Sequence, residues 1–256
     1  DLRMSRGLGD VYKRQTRKWS LLVGGRLDKH NLVDHVIFSP RVNVRFNPSE
    51  AVNLRVSYAG GYRAPQAFDE DMHIAIVGGK RVRIRLADDL REERSHSVSL
   101  SADLYHTFGK VQTNLLVEGF YTILDDVFAL RDMDDAADGG KVKERYNGSG
   151  ATVRGFNVEG RAAFTRWFEL QAGVTLQQSR YKEPEFWSED AEVPPVRRMF
   201  RTPDTYGYFT ASFKPVRNFT ADLSGTCTGS MLVQHMAGSG VCLLYTSPSP
   251  RDMRRS

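Results

Sequence analysis

Residues 41–58 decide the fold. Arg41-Val42-Asn43-Val44-Arg45-Phe46 alternates polar and apolar side chains one residue at a time, and residues 52–58 resume the alternation after Asn47-Pro48-Ser49-Glu50. An alternation of period two gives a β-strand one apolar face and one polar face. A short polar break that contains proline favours a tight turn. The stretch therefore predicts a β-hairpin whose two faces differ chemically.

The same pattern recurs along most of the chain, whereas a helical period is nearly absent. Outward from the first hairpin we predict an opening strand and three more hairpins, which makes about nine antiparallel strands in an up-and-down meander. The residues that mark the alternation in these strands lie at 19–27, 41–46, 52–58, 97–104, 111–123, 154–164, 170–176, 207–213 and 219–225. The fold class is therefore all-β.

Strand length and loop length both favour a membrane barrel over a soluble sandwich. The alternation holds for about 11 to 13 residues, whereas soluble strands peak at about 5 to 6 and tilted membrane strands need about 9 to 11. Bacterial barrels also have short turns at one end and long loops at the other. Tight turns are predicted at 47–50, 108–110, 165–167 and 214–218, and long connections at 64–93, 125–150 and 181–199.

The aromatic side chains fall at two levels, as they do at the two interfaces of a membrane. Those near the tight turns are Phe46, Phe108, Phe164, Trp167, Phe168, Phe213 and Phe219. Those toward the long connections are Tyr58, Tyr62, Tyr121, Tyr181 and Tyr208. A simple strand preference of aromatic residues explains their presence but not this grouping.

The polar face of the predicted strands is too hydrophilic for the core of a sandwich, so we expect it to line a wet lumen. Its residues are Arg41, Asn43, Arg45, Asn53, Arg55, Asp103, Gln112, Asn114, Glu118, Gln171, Gln177 and Asp222. A soluble sheet with one face in bulk solvent would expose the same residues, and this is the competing explanation.

Composition excludes several classes of protein. The 256 residues are 40% hydrophobic and 26% charged, which argues against a disordered chain. The net charge of +5 lies mostly at the ends, because residues 1–15 and 242–256 carry +2 each and leave +1 for the body. We therefore expect no nucleic-acid partner. The absence of any run of eighteen apolar residues argues against a transmembrane helix.

Both ends lack periodicity and resemble translated sequencing-adapter sequence, as at residues 9–15 and 242–252. We therefore expect residues 1–15 and 242–256 to be non-native or disordered, and residues 16–241 to form one β-barrel segment. The two cysteines, Cys227 and Cys242, predict neither a disulfide framework nor a metal-binding pair.

Several motifs resemble the barrel of TonB-dependent outer-membrane receptors. The match is close at Gly61-Tyr62-Arg63-Ala64-Pro65, which in that family ends a strand at its outer rim before a long loop. Residues 39–46, 54–60, 90–97, 154–160 and 201–208 add to the resemblance in the right order, together covering roughly 17–238. At Arg91-Glu92 the family's usual proline is missing.

The resemblance implies a segment of a 22-stranded transmembrane barrel in the outer membrane of a Gram-negative bacterium, plugged by an N-terminal domain. Nine strands are fewer than that barrel needs, so we expect this chain to be a fragment. The implied function is to bind a scarce nutrient, such as a ferric siderophore, a corrinoid or a glycan, and to import it with energy relayed by the TonB complex through the N-terminal region. Outer-membrane lipid and lipopolysaccharide are the other implied partners.

Ligand contacts are expected on the outer loops, where aromatic rings and cations could stack on a nutrient and pair with its anionic groups. The candidates are Tyr62, Arg63, Gln66, Phe68, Trp187, Arg197 and Arg198. We expect no catalytic residue, no cofactor and no metal site. Asp132, Asp134, Asp135 and Asp138 lack the spacing of a calcium loop, and the six histidines lack the spacing of a zinc site.

Two alternatives stay open at the level of sequence. One is a soluble or surface-anchored β-sandwich that binds glycans, in which the apolar faces would oppose each other across a core. The other is a barrel enzyme, such as an outer-membrane lipase or protease, which would gather a nucleophile, a base and an acid near one rim.

Overall fold

The computed structural model describes residues 11–15, 18–31, 33–65, 82–133, 141–185, 195–216, 218–237 and 240–246. Within these ranges every regular element is a β-strand. The strands are β1 (Val11–Gln15), β2 (Trp19–Lys29), β3 (Val36–Ser49), β4 (Val52–Arg63), β5 (Val82–Leu86), β6 (Glu93–Phe108), β7 (Val111–Asp125), β8 (Phe128–Met133), β9 (Lys141–Asn147), β10 (Ala151–Thr165), β11 (Phe168–Glu185), β12 (Val196–Arg198), β13 (Thr205–Val216), β14 (Phe219–Thr228), β15 (Met231–Ala237) and β16 (Gly240–Thr246). No helix in the described part of the chain has the length and hydropathy to cross a membrane.

One large antiparallel sheet organises the molecule, in the order β1-β2-β3-β4-β6-β7-β10-β11-β13-β14, with β12 paired to β11. Strands β2, β3, β4, β6, β7, β10, β11, β13 and β14 correspond to the nine strands predicted from the sequence, so the all-β meander is confirmed. Four of them, β6, β7, β10 and β11, have 15 to 18 residues and exceed the predicted length. The pairing among the described strands does not close the sheet into a ring.

Tight turns close the hairpins at one end of the sheet, as predicted. The last pairs before the turns are Ser49 with Val52, Phe108 with Val111, Thr165 with Phe168 and Val216 with Phe219. In the turn between Phe108 and Val111, Gly109 adopts a φ of 62°, a left-handed conformation that costs glycine little. Each turn therefore fixes the register of the strands that it joins.

The apolar face of the large sheet has no protein layer over it in the described ranges. Leu100, Phe156 and Leu223 are each 60% or more exposed. The buried apolar residues are few and mostly small, and they do not form a core beneath the sheet: Val33, Ile37, Ala87, Ala151, Ala211 and Leu232. A sandwich would bury the apolar face against a second sheet, so this arrangement excludes a sandwich built on this sheet.

The height of the apolar face matches a lipid bilayer. Along β6 it runs from Val98 to Phe108, ten residues apart. At about 3.3 Å per residue this is about 33 Å of strand, which a tilt of about 40° projects to about 25 Å, the height of the apolar band of a membrane barrel.

Aromatic rings pack at the turn end of this band, as predicted. Trp19 stacks on Phe46 with ring centroids 4.3 Å apart, and Phe168 stacks on Phe213 at 4.9 Å. At the other end, Tyr121 is exposed on the apolar face. Tyr208 lies toward the long connections, as predicted, but its hydroxyl donates to Glu159 on the polar face. Successive side chains of a strand point to opposite faces, so Tyr208 points away from the apolar face, on which its neighbour Phe209 lies.

The predicted long connections are not structureless. Strand β5 pairs in parallel with β9, and β9 pairs antiparallel with β8, which makes a separate three-stranded sheet from the connections 64–93 and 125–150. The connection 181–199 contains the end of β11 and strand β12. We call the three-stranded sheet the rim sheet.

The two predicted domain boundaries, at residues 15 and 241, lie in or beside paired strands. Strand β1 pairs with β2, and β15 pairs with β16. The division of the chain at residues 15 and 241 stays a prediction.

A pair of neighbouring substitutions on β7 tests which face meets lipid. We expect Val117→Arg, near the middle of the apolar face, to destabilise the folded protein by about 2–4 kcal/mol, because the guanidinium enters hydrocarbon. Leu116→Arg on the polar face, where Leu116 pairs with Asp103 and Glu159, should cost much less. Urea unfolding in lipid vesicles measures both. Equal losses for the two variants would contradict the assignment of the faces.

Candidate functional site

Two of the predicted ligand residues lie where β4 ends at the long-connection side of the sheet. Tyr62 pairs with Arg94 and Arg63 pairs with Glu93 across the β4–β6 ladder. The motif Gly61-Tyr62-Arg63-Ala64-Pro65 thus ends a strand at the rim, as its resemblance to the receptor family implies. Gln66 and Phe68, which follow, lie outside the described residues.

Arg63 belongs to a cluster that joins the rim sheet to the large sheet, and we call it the rim cluster: Arg63, Glu93, Phe128 and Arg145. The guanidinium carbons of Arg63 and Arg145 lie 5.5 and 6.0 Å from the centroid of the Phe128 ring. The Glu93 carboxylate lies 3.9 Å from Arg63 and accepts the backbone N–H of Phe128 at 3.4 Å. Two cations share one aromatic ring, an arrangement worth about 0.5–2 kcal/mol for each cation.

The burial of Arg145 sets this cluster apart from a solvated loop. Arg145 is only 2% exposed, and its backbone carbonyl accepts the N–H of Ala87 at 2.9 Å. Arginine is rarely buried without partners. The rim sheet is therefore held by packing and charge together.

The side chain of Asn147, at the end of β9, also connects the rim sheet to the large sheet. Its side-chain amide donates to the carbonyls of Asp126 at 2.8 Å and Arg91 at 3.0 Å, and its side-chain oxygen accepts the Arg91 N–H at 2.8 Å. Asp126 has a φ of 55°, a left-handed conformation. These three bonds use most of the capacity of the Asn147 amide and connect the end of β9 to the segments before β6 and after β7.

A second rim contact joins the β2–β3 connection to the start of β6. The Glu92 side chain is 2% exposed and accepts hydrogen bonds from Arg94 at 2.6 Å and from His35 at 3.0 Å. Burial raises the pKa of the Glu92 carboxyl. Hydrogen bonds from Arg94, the Glu92 backbone and His35, with the charge of Arg94, outweigh burial and hold this pKa below its usual value.

Arg197 and Arg198 lie in β12, beside a cavity of about 520 Å³ that Gln178, Ser179 and Leu232 also line. Arg198 pairs with Asp204 at 2.7 Å. In the sheet order β6, β7 and β10 separate β4 from β11, the partner of β12, which corresponds to about 19 Å along the sheet. The structure thus places the predicted residues in two groups. Trp187 lies outside the described residues.

The polar face carries a group of arginines that we call the basic strip: Arg41, Arg45 and Arg55. Arg45 and Arg55 are direct cross-strand partners on β3 and β4. The three line a cavity of about 500 Å³, and within the described residues no carboxylate forms an ion pair with any of them. Like charges directly opposite each other destabilise a sheet, so the basic strip favours an anionic occupant.

The carboxylates of the polar face lie on other strands and are bonded largely to neutral donors. Asn157 donates to Glu118 at 3.1 Å, and Thr175 donates to Asn157 at 2.8 Å. The Glu159 carboxylate accepts hydrogen bonds from the Tyr208 hydroxyl at 2.5 Å and from the Gln171 side-chain amide at 2.8 Å. The cations of β3 and β4 are thus separated from the anions of β6, β7 and β10.

Three histidines make contacts that bear on the alternative of a barrel enzyme. His35 contacts Glu92 and Arg94, His96 bonds to Tyr58 at 2.9 Å, and His106 packs on Phe108. None of these contacts pairs an imidazole with a serine or cysteine. No group of three metal-binding side chains occurs among the described residues, and Asp134, Asp135 and Asp138 lie outside them.

The sequence predicted Arg63 as a ligand contact, which stays a prediction, and it did not predict the contacts of Arg63 with Glu93 and Phe128, the burial of Arg145, or the contact of His35 with Glu92. A signal for β5 was present, because Val82-Arg83-Ile84-Arg85-Leu86 alternates like the longer strands. Nothing local marks Arg145 as buried, because its partners come from distant parts of the chain.

Substitution of Glu92 tests the contact at the rim. Because its pKa is lowered by folding, Glu92 stabilises the connection at 33–35 above its unfolded pKa of about 4.3, and this stabilisation is lost as the pH falls through the lower folded value. We expect Glu92→Gln to speed hydrogen exchange at residues 33–35 at pH 5 and to remove the loss of protection between pH 5 and 3. Asp88→Asn, at an exposed carboxylate, is the control. An unchanged pH profile in Glu92→Gln would contradict this account.

Solved structures that are similar in shape to the chain include two receptors and a transporter. The ferric enterobactin receptor PfeA (G324V mutant) from Pseudomonas aeruginosa has a TM-score of 0.63 and 17% identity, over 90% of this chain and 34% of that chain. The FrpB iron transporter (F3-3 variant) from Neisseria meningitidis has a TM-score of 0.60 and 17% identity, over 86% and 32%. The siderophore receptor PirA from Pseudomonas aeruginosa has a TM-score of 0.61 and 15% identity, over 84% and 37%.

The chain thus spans about a third of the length of these structures, and at this level of identity they show the fold. No curated protein matches the chain. The family model described as TonB dependent receptor-like, beta-barrel matches residues 9–237. The chain therefore belongs to the TonB-dependent receptor β-barrel family, whose members are outer-membrane proteins of Gram-negative bacteria.

Proposed function

We propose that the chain is part of an outer-membrane receptor that binds a scarce anionic nutrient, such as a ferric siderophore, and imports it with energy relayed by TonB. The observation that carries this proposal is the basic strip on the polar face. Its three guanidiniums line a cavity and have no carboxylate in an ion pair among the described residues. A pore wall of this kind attracts anions and repels cations.

The chemistry of a ferric chelate suits this wall. Catecholate and carboxylate chelates of Fe³⁺ carry net negative charge and present oxygen atoms at their surface. Arginine binds such oxygens with two parallel N–H donors. Arg45 and Arg55, directly opposite each other, offer two such groups within reach of one ligand. An occupying anion would also relieve the repulsion between them.

The rim supplies the first contacts in this proposal. Tyr62 and Arg63, with Gln66 and Phe68 beyond them, would receive the ligand on one side, and Trp187, Arg197 and Arg198 on the other. Because the rim cluster holds Arg63 between Glu93 and Phe128, its guanidinium is already oriented, which reduces the entropy that binding costs.

The similar structures support iron as the cargo. They are a ferric enterobactin receptor, an iron transporter and a siderophore receptor. The TonB complex would act through a region N-terminal to these strands, and import requires no covalent chemistry. We accordingly propose a transport protein and not an enzyme.

Neutralising the basic strip tests the proposal in the full-length receptor. We expect Arg41→Gln, Arg45→Gln and Arg55→Gln combined to reduce uptake of radiolabelled ferric tris-catecholate at least tenfold, because two or more charge-assisted hydrogen bonds are lost. Uptake is measured in a Gram-negative strain that lacks its own siderophore receptors. The assay is repeated with a corrinoid and a glycan, and in a strain without TonB.

Arg161→Gln is the matched control, since Arg161 lies on the same face but already pairs with Glu169 at 2.6 Å. It should leave uptake near the wild-type level. Uptake that persists without TonB, or that is equal in the triple variant and the wild type, would refute the proposal. Transport of only a neutral glycan would refute the anionic cargo.

A further inference from the structure

Three neighbouring strand pairs of the large sheet have no tight turn to set their register. Strands β4 and β6 are joined through residues 64–92, β7 and β10 through residues 126–150, and β11 and β13 through residues 186–204. A slip of one residue would turn every apolar side chain to the wrong face, whereas a slip of two residues keeps both faces. Alternation therefore leaves the register of these pairs open in steps of two, and another contact has to select it.

Strands β7 and β10 exchange a glycine and a phenylalanine on both faces of the sheet. Gly119 is the partner of Phe156, and Phe120 is the partner of Gly155. On the apolar face, a Cβ at Gly119 would lie 3.3 Å from the Phe156 ring. On the polar face, a Cβ at Gly155 would lie 2.8 Å from the Phe120 ring. Each ring thus occupies the space that a side chain on the opposite strand would need.

The same arrangement recurs on β13, which covers a glycine of each neighbouring strand. Tyr208 is the partner of Gly173 on β11, and Phe209 is the partner of Gly225 on β14. A Cβ at Gly173 would lie 2.7 Å from the Tyr208 ring, and one at Gly225 would lie 2.5 Å from the Phe209 ring. Two consecutive rings therefore contact glycines on opposite sides of β13 and on opposite faces of the sheet.

The backbone conformation does not require glycine at these four positions. Among the described glycines a left-handed φ occurs at Gly109 and Gly150, and neither of them faces one of these rings. Glycine loses more conformational freedom on folding than any other residue, so it weakens the strand that contains it. The reason for glycine that the structure gives is the space taken by the opposing ring.

A slip of two residues between β7 and β10 would break both contacts. Phe156 would then lie opposite Val117 or Tyr121, according to the direction of the slip. Phe120 would likewise lie opposite a side chain in place of Gly155. Among these registers, the native one is therefore the register in which both rings face a glycine.

We propose that three ring–glycine pairs lock the strand register where a long connection cannot set it. The three pairs are Gly119 with Phe156, Phe120 with Gly155, and Gly173 with Tyr208. A fourth pair, Gly225 with Phe209, adds to the tight turn between β13 and β14. Cross-strand contacts of aromatic rings stabilise a sheet, and rings that cover glycines pin its register. The locks act whichever nutrient is transported.

The third strand pair with a long connection has a ring contact of another kind. Between β4 and β6, the Tyr58 hydroxyl forms a hydrogen bond with His96 Nδ1 at 2.9 Å, and the two rings are nearly parallel. Between β7 and β10 the two locks lie on opposite faces, so a slipped register is opposed in the lipid and on the polar side alike.

Disulfide cross-linking of the full-length receptor, folded into lipid vesicles, tests the locks between β7 and β10. In a background with Cys227→Ser, Gly160→Cys is combined with Leu115→Cys, at its partner position in the native register. Combined instead with Thr113→Cys or Val117→Cys, it reports a slip of two residues in one direction or the other. A Cβ at Gly160 meets nothing within 4 Å, and only direct partners come close enough for a disulfide.

We expect the receptor with both rings to give the native cross-link almost alone. Phe120→Ala and Phe156→Ala should each raise the slipped fraction roughly fivefold, because each removes one cross-strand aromatic contact. Exchange of the ring and the glycine, Gly119→Phe with Phe156→Gly, should return the slipped fraction to its original level, since a ring again covers a glycine.

Phe164→Ala is the matched control. Phe164 lies on β10 but packs on Phe168 with ring centroids 5.4 Å apart, in a hairpin that a tight turn closes. Its loss removes a ring of the same size and should leave the slipped fraction unchanged. Cross-links are counted only in the fraction that resists unfolding in SDS before heating, so misfolded protein does not contribute. An unchanged slipped fraction in either Phe120→Ala or Phe156→Ala would overturn the proposal. So would an equal rise in Phe164→Ala, or no recovery when ring and glycine are exchanged.

Discussion

The structure depends on one constraint: a sheet whose apolar face meets hydrocarbon must satisfy every backbone hydrogen bond between its own strands. This constraint explains why the strands are long, why neighbours along the chain are also neighbours in the sheet, and why the described residues form no core beneath it. Burial in the usual sense is nearly absent, since side chains such as Leu100 and Phe156 remain exposed. Stability comes from the ladder of backbone bonds and from transfer of one face into lipid.

The same constraint explains where the sequence was informative. The presence of a strand and the face of each side chain depend only on local alternation, so all nine long strands could be predicted from the alternation of polar and apolar residues. Tight turns such as Phe108-Gly109-Lys110-Val111 could be predicted from the residues that favour turns. The grouping of aromatic residues by their distance from the long connections does not give the face on which Tyr208 lies. Tyr208 and Phe209 are consecutive in β13, so their side chains point to opposite faces. The hydrogen bond from the Tyr208 hydroxyl to Glu159 agrees with this assignment.

The rim was not predictable in the same way, because its pairings are non-local. Strand β5 pairs with β9 across more than fifty residues and in parallel, so no hairpin signal links them. Arg145 contacts the Phe128 ring of β8 and accepts the N–H of Ala87, which follows β5. The partners of Glu92 come from both sides of β4. Of the seven candidate ligand residues, the structure describes four, and it places them in two groups on separate strands.

The separation of charge across the polar face has a consequence for any molecule that travels along it. The arginines of β3 and β4 stand on one side of the wall, and on the other Asp103, Glu118 and Glu159 accept bonds from side-chain amides and hydroxyls. The wall therefore has a transverse dipole. If this face lines the path of the proposed transport, an elongated ligand with one negative end would turn that end toward β3 and β4 and its opposite end toward β6, β7 and β10.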